Sequence, residues 1–168
     1  MPAKKVVLQE EGFPSQCTGC RMCELICSFT HYKTFNPSLS RIRVAKCEPD
    51  LIDYPVICRQ CCNPPCRKAC PSAAIIPDIQ TGASRIDPEL CIGCGECVSA
   101  CPFGAIYIPV GEKLPICCDL CAGDPQCVAY CPFKVLKYMS SEDLAKDKRQ
   151  KTALKDAPQP KENVQPDN

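Results

Sequence analysis

Short apolar runs alternate with polar turns along this chain, and no apolar run approaches the ~18 residues of a membrane span. Lys4-Lys5-Val6-Val7-Leu8-Gln9 has the makings of a short strand. Phe35-Asn36-Pro37 marks a turn, and Ser40-Arg41-Ile42-Arg43-Val44-Ala45-Lys46 then alternates polar and apolar residues, as a half-buried strand does. Tyr54-Pro55-Val56-Ile57 is a further apolar lead-in. From Ala74 to Asp87 two apolar stretches flank a turn at Gly82, which predicts a hairpin. Residues 103–108 predict a strand, 110–113 a turn and 114–116 a return, and residues 133–138 predict a closing strand. Ser140-Ser141-Glu142-Asp143 reads as a helix cap with acids in its first turn, and Lys146 to Lys155 supply the basic end. Leu144 and Leu154 are too sparse to give that helix a core face. Pro158 ends it, and residues 158–168, with three prolines and no aromatic residue, have the composition of a segment that is disordered in isolation.

Cysteines fill the gaps between these elements. Cys91, Cys94, Cys97 and Cys101, followed by Pro102, keep the C-x2-C-x2-C-x3-C-P spacing of a bacterial ferredoxin. Three thiolates so spaced wrap one face of an iron–sulfur cube, and the fourth ligates a different cube. Such a motif therefore needs a partner motif. Cys17, Cys20, Cys23 and Cys27 repeat the spacing, with Ser28 where proline would stand. Proline normally ends the short helix that carries the fourth cysteine; here the helix is expected to run on through Ser28, Phe29, Thr30 and His31. Cys58, Cys61, Cys66, Cys70 and Pro71 form another set, with Asn63-Pro64-Pro65 displacing the third cysteine. Cys118, Cys121, Cys127, Cys131 and Pro132 form the last, with turn residues 122–126 in the widened gap. Motif, strand, turn and strand recur, an internal repeat that suggests two ferredoxin-like units with approximate two-fold symmetry.

Nineteen of the 168 residues are cysteine, past the ~8–10% at which cysteine becomes framework. A disulfide framework would call for an export signal, and the N-terminal residues have neither an apolar h-region nor a twin-arginine pair. A cytoplasmic location, where thiols stay reduced and free for metal, is the expectation. The formal charge of +1 counts thiols as neutral; four clusters, each adding −2, would bring it to about −7, which argues against nucleic acid as a partner. With no Trp, five Phe and five Tyr, the ordinary core is thin. Metal–ligand bonds must then supply much of the folding energy.

A C-x2-C pair also suits zinc, but sixteen cysteines in four sets, three of them ending Cys-Pro, fit clusters better than a zinc-binding interaction module. Cys47, Cys62 and Cys117 are left over. Cys47 is expected to be a packed thiol at the end of its strand. Cys117-x3-Cys121 competes with Cys118-x2-Cys121, and the latter preserves the spacing of the other motifs. His31, the lone histidine, reads as a surface or interface residue; the alternative is a donor toward a cluster sulfur that tunes its potential. Arg41, Arg43, Arg59 and Arg67 form either a basic docking surface or a solvated face. No second histidine, P-loop or GxGxxG is present to support catalysis.

With all four motifs placed, residues 13–138 resemble the four-cluster iron–sulfur electron-transfer subunits of the dimethyl sulfoxide reductase family. Residues 17–25 (Cys-Thr-Gly-Cys-Arg-Met-Cys-Glu-Leu), with Phe35-Asn36-Pro37 and residues 40–44, look like a narrower branch. That branch is similar to the small subunits accompanying tungsten enzymes of the aldehyde ferredoxin oxidoreductase type, including class II benzoyl-CoA reductases. It also resembles partners of carbon monoxide dehydrogenase and hydrogenases. The resemblance implies a ligand exchange between motifs. One 4Fe–4S cluster takes Cys17, Cys20, Cys23 and Cys131; a second takes Cys118, Cys121, Cys127 and Cys27. A third takes Cys58, Cys61, Cys66 and Cys101, and a fourth Cys91, Cys94, Cys97 and Cys70.

The expected fold is α+β, a tandem ferredoxin-like domain over residues 1–139 of two pseudo-symmetric two-cluster units, with short strands and helices. Residues 140–168 are expected to add a helix and an extended tail that binds a partner or another copy. The expected function is non-catalytic relay of single electrons through four 4Fe–4S clusters. They would pass between a tungsten- or molybdenum-pterin oxidoreductase subunit and a ferredoxin or flavin NAD(P) subunit, in anaerobic metabolism and without a membrane. A freely diffusing polyferredoxin is the alternative within the same chemistry.

Overall fold

A computed structural model describes residues 4–8 and 17–157. The tail expected over residues 158–168 lies outside them. In chain order the elements are β1 (Lys4–Leu8), α1 (Met22–Tyr32), β2 (Ile42–Cys47), β3 (Ile52–Ile57), α2 (Pro65–Lys68), β4 (Ile75–Pro77), β5 (Ser84–Ile86), α3 (Glu96–Ala100), α4 (Gln126–Ala129), β6 (Leu136–Ser140) and α5 (Ser141–Asp156). The architecture is α+β, with three two-stranded antiparallel sheets among the described residues: β1 with β6, β2 with β3, and β4 with β5.

The hydrophobic pattern accounts for most of these strands. β4 and β5 form the expected hairpin, with Ile75 opposite Ile86 and Pro77 opposite Ser84. β2 buries Ile42 and Val44, as its alternation requires, and pairs with the Tyr54–Ile57 lead-in, Ile42 lying opposite Ile57. β1 pairs with β6, joining the two ends of the described fold, with Val6 opposite Tyr138. The closing strand begins at Leu136, three residues later than expected. The strand and return expected over residues 103–116 shrink to one bridge, Tyr107 to Ile116. Pro109 and Pro115 each remove a donor from the pairing, so only the N–H groups of Tyr107 and Ile116 complete it, at 3.4 and 2.9 Å.

Helix length follows the residue after each fourth cysteine. A residue before proline is pushed out of the helical region. Accordingly α2, α3 and α4 span four, five and four residues and stop before Cys70-Pro71, Cys101-Pro102 and Cys131-Pro132. Ser28 lifts that restriction, and α1 extends over 11 residues to Tyr32. The Ser28 side chain is fully buried; its Oγ donates to the Leu25 carbonyl oxygen at 2.9 Å and accepts the Asn36 N–H at 3.1 Å. α5 starts as expected, its Ser140 Oγ accepting the Asp143 N–H at 3.0 Å, and it buries no residue.

Two apolar clusters form the core. Val6, Ile42, Val44, Ile57, Leu120 and Leu136 gather around Cys23, Cys27, Cys118 and Cys127. Ile75 and Ile106 gather around Cys66, Cys97 and Cys117. Cysteine sulfur thus fills space that aliphatic side chains occupy in a larger core. Gln60 links elements of the two clusters: its amide donates to the Cys118 carbonyl oxygen at 2.8 Å and accepts the Ser84 N–H at 2.9 Å.

Candidate metal-cluster sites

Every motif loop bends through left-handed backbone: Gly19 and Arg21 in the first, Gln60 in the second, Gly93 and Gly95 in the third, and Leu120, Cys121 and Ala122 in the fourth. Peptides in this conformation present N–H groups to a concavity and favour an anion there. At two positions glycine is required by space as well. A Cβ on Gly19 would strike the Asp53 carboxylate, and one on Gly93 would lie 2.8 Å from the Lys113 carbonyl oxygen.

Three cavities are each lined by four cysteines drawn from two motifs. Cys17, Cys20, Cys23 and Cys131 share one, walled by Val44, Pro55, Phe133 and Leu136. Cys118, Cys121, Cys127 and Cys27 share a second, against Ile42, Ile57 and Pro125. Cys58, Cys61, Cys66 and Cys101 share a third, with Pro64, Pro65 and Ile106. The remaining set, Cys91, Cys94, Cys97 and Cys70, has the same exposure pattern as Cys17, Cys20, Cys23 and Cys131. Burial pushes the Cys97 thiol up, and the Cys91, Cys70 and Cys66 thiols add to this; Cys94 is exposed.

Electrostatics match thiols gathered for metal. Burial raises Cys23 to about 12, Glu24 and Cys17 adding to it. Burial likewise raises Cys58 to about 11, with Cys66, Cys101 and Cys61 contributing. Buried thiols crowded in fours would be unfavourable as bare thiolates. A multi-iron cationic core compensates them, and the four-sulfur donor sets with apolar walls fit 4Fe–4S clusters.

Cys27 differs from its neighbours. Although burial works to raise it, its thiol is held below the ordinary value by His31 and by the Arg41 N–H, which donates to Cys27 Sγ at 3.2 Å. His31 is not the loose surface residue expected. Nδ1 meets the Cys27 carbonyl oxygen at 2.8 Å and stands 4.0 Å from Cys27 Sγ, while Nε2 meets the Asp119 carboxylate at 3.0 Å. Burial would lower the His31 pKa, but the hydrogen bonds to Asp119 and to Cys27 together outweigh it and lift the value to about 9. Asp119 also pairs with the Arg41 guanidinium. Despite burial, His31 and Arg41 together hold its carboxyl well below the usual carboxylate range.

Asp119 was not singled out from the sequence. Its position between Cys118 and Cys121 was the available signal, but its link to His31 spans 88 residues. Of the four arginines read as either a basic docking surface or a solvated face, three are tied to partners. Arg41 is engaged with Asp119, Arg43 donates to the Pro37 carbonyl oxygen at 2.7 Å, and Arg59 donates to the Tyr54 hydroxyl at 2.9 Å. Cys47 is exposed where a packed thiol was expected, because the buried alternation of β2 ends at Val44. Cys62 is exposed and Cys117 is buried; the Cys117 Sγ–H donates to the Ser84 carbonyl oxygen at 3.3 Å.

Cysteine-lined cavities on a small α+β frame define an iron–sulfur protein of ferredoxin type. The 4Fe-4S binding domain matches at residues 84–107 and again at residues 14–30. Over 146 residues, 84% of this chain and 87% of the relative, the sequence is 36% identical to an uncharacterized ferredoxin of Methanocaldococcus jannaschii. The chain belongs to the 4Fe–4S ferredoxin family and is an electron-transfer protein. It is also 46% identical, over 106 residues, to the polyferredoxin-like subunit of an aliphatic sulfonate oxidoreductase of Pyrococcus furiosus, a match covering 63% of this chain and 61% of that subunit. Its fold is similar to a chain of the active-site complex BamBC of benzoyl coenzyme A reductase with 1,5-dienoyl-CoA, at a TM-score of 0.50 and 24% identity, covering 98% of this chain and 83% of that one. No helix among the described residues is long and apolar enough to cross a membrane.

Proposed function

We propose that the chain is a non-catalytic electron-transfer subunit with four 4Fe–4S sites, serving an oxidoreductase complex. The observation that carries this reading is the convergence of cysteines from distant motifs on shared cavities, four at a time. The ligand sets are Cys17, Cys20, Cys23 and Cys131; Cys118, Cys121, Cys127 and Cys27; Cys58, Cys61, Cys66 and Cys101; and Cys91, Cys94, Cys97 and Cys70. The first two sets make one unit and the last two another, a division that the two apolar clusters support. Residues 1–139 form the ferredoxin-like domain, and residues 140–168 bind a partner or a second copy.

Each cluster, when bound, takes up or gives back one electron. The chain holds the sites apart, excludes water from them and sets their electrostatics. Val6, Ile42, Val44, Ile57 and Leu136 keep one unit's sites dry; Ile75 and Ile106 do so in the other. Cys20 and Cys94 are exposed, and these edges suit exchange with partners. With all sixteen motif thiols used as ligands, no iron would be left open to a substrate, which favours relay over catalysis.

The partners we infer are a tungsten- or molybdenum-pterin catalytic subunit and a ferredoxin or flavin NAD(P) subunit. The dimethyl sulfoxide reductase-type resemblance and its tungsten-enzyme branch support the former, as does similarity to a subunit named for an oxidoreductase. The location is cytoplasmic. Anaerobic purification from the native source, followed by elemental analysis, tests the partner. Tungsten or molybdenum in a co-purifying large subunit is expected. Nickel, or a chain that purifies alone with iron, would overturn this partner assignment.

A further inference from the structure

At the Cys118, Cys121, Cys127 and Cys27 site, polar and cationic groups gather beside one ligand sulfur. Cys27 Sγ accepts the Arg41 N–H at 3.2 Å, and the His31 ring lies 4.0 Å from the same sulfur. Both His31 nitrogens face groups that only accept: the Cys27 carbonyl oxygen at 2.8 Å and the Asp119 carboxylate at 3.0 Å. Each nitrogen must therefore donate, and a histidine that donates twice is an imidazolium. Arg41 is a second, permanent cation on the same carboxylate. The side chains of His31, Arg41 and Asp119 are 12%, 20% and 23% exposed, so solvent screens them little. Two cations against one anion leave a positive excess beside Cys27. The Arg67 N–H bonds to Cys66 in the same way, but among the described motif thiols a cationic side chain is a main cause of lowering only at Cys27, from His31, and at Cys121, from Arg41.

We propose that His31 and Arg41 are positioning residues that make this site the highest in potential of the four, a trap for the electron within the relay. Reduction adds one negative charge. N–H donors to the ligand sulfur and neighbouring cations stabilise that added charge, which raises the potential. Asp119 anchors both cations against the cavity wall. The Cys70 sulfur also takes a backbone N–H, from Ala74 at 3.3 Å, with Ser72 Oγ 3.7 Å away; the amide of Arg41 is no different in charge, and what sets Cys27 apart is the His31 and Arg41 side chains. The inference rests on the four-site ligand assignment.

The test is a potentiometric titration of the full chain with its clusters, read by electron paramagnetic resonance, for the unmodified protein, His31→Leu and Arg41→Met. Arg41→Met keeps the backbone N–H to Cys27 and deletes only the guanidinium. In both variants the highest-potential transition is expected to fall by at least tenfold in reduced-to-oxidised ratio, about 59 mV, with the other three unmoved. If His31→Leu fails to hold its clusters, Arg41→Met carries the test. Full iron content with no shift, or a shift of a lower-potential transition instead, would overturn the inference and leave the ligand assignment standing. Fewer than four clusters in the unmodified chain would overturn the assignment itself.

Discussion

Cys117 and Cys118 are adjacent and both buried, yet their surroundings give them separate roles. Cys118 lines a cavity with Cys27, Cys121 and Cys127. Cys117 lies outside that cavity and donates to the Ser84 carbonyl oxygen; burial pushes both thiols far up, so the partner of each sulfur, and not its acidity, separates a packing thiol from a ligand. On the proposed assignment, Cys118→Ser should lose about a quarter of the bound iron, one cluster of four. Cys117→Ser should keep all of it, since serine retains the donor to Ser84. Iron analysis of the two variants beside the unmodified chain checks this, and the reverse pattern would shift the register of the motif. Spacing favours Cys118, which preserves the C-x2-C of the other motifs, and its place beside Cys27, Cys121 and Cys127 in one cavity supports that reading.

At the scale of elements, one substitution in the repeat governs a whole helix. Ser28 stands where the other motifs have proline, and α1 alone among the motif helices continues past its fourth cysteine, carrying His31 one turn beyond Cys27. Ser28→Pro should remove a helical hydrogen bond and drive the ring into the preceding turn, a cost of about 3 kcal/mol or more. It would also delete the buried Oγ bonds to Leu25 and Asn36. A lower thermal midpoint, followed through loss of cluster absorbance, is the expected result; an unchanged midpoint would mean α1 does not depend on this position. That extension was legible because a missing proline is a local signal, as were the Gly82 hairpin and the Ser140 cap. The bridge that replaced the strand and return over residues 103–116 was less legible, since apolar runs there outvoted Pro109 and Pro115. The His31–Asp119–Arg41 group was not legible as a unit, because its members come from three motifs or spacers and meet only in the fold.

At the scale of the molecule, the sheets among the described residues have two strands each, and the two apolar clusters include cysteines. Two-stranded sheets are marginal alone, so the sulfur-lined cavities must be filled for the elements to hold together. Stripping iron anaerobically with acid and chelator, then returning to neutral pH, should leave a chain with little far-ultraviolet circular dichroism of helix or strand. Restoring iron and sulfide should recover it, since metal-binding free energy acts here as folding free energy. A stripped chain that kept its spectrum would show that the polypeptide folds without its cofactors. The composition foretold this dependence; which cysteines from distant motifs meet in one cavity requires the tertiary fold and was reached in the sequence only through resemblance.

The most direct test of the account is the iron and acid-labile sulfide content of the anaerobically purified chain, with the cluster type read by Mössbauer spectroscopy. Four 4Fe–4S sites predict about sixteen irons and about sixteen sulfides per chain, all in cubane clusters. About eight of each would reduce the chain to a two-cluster ferredoxin, and zinc bound at the cysteines without sulfide would contradict the account outright.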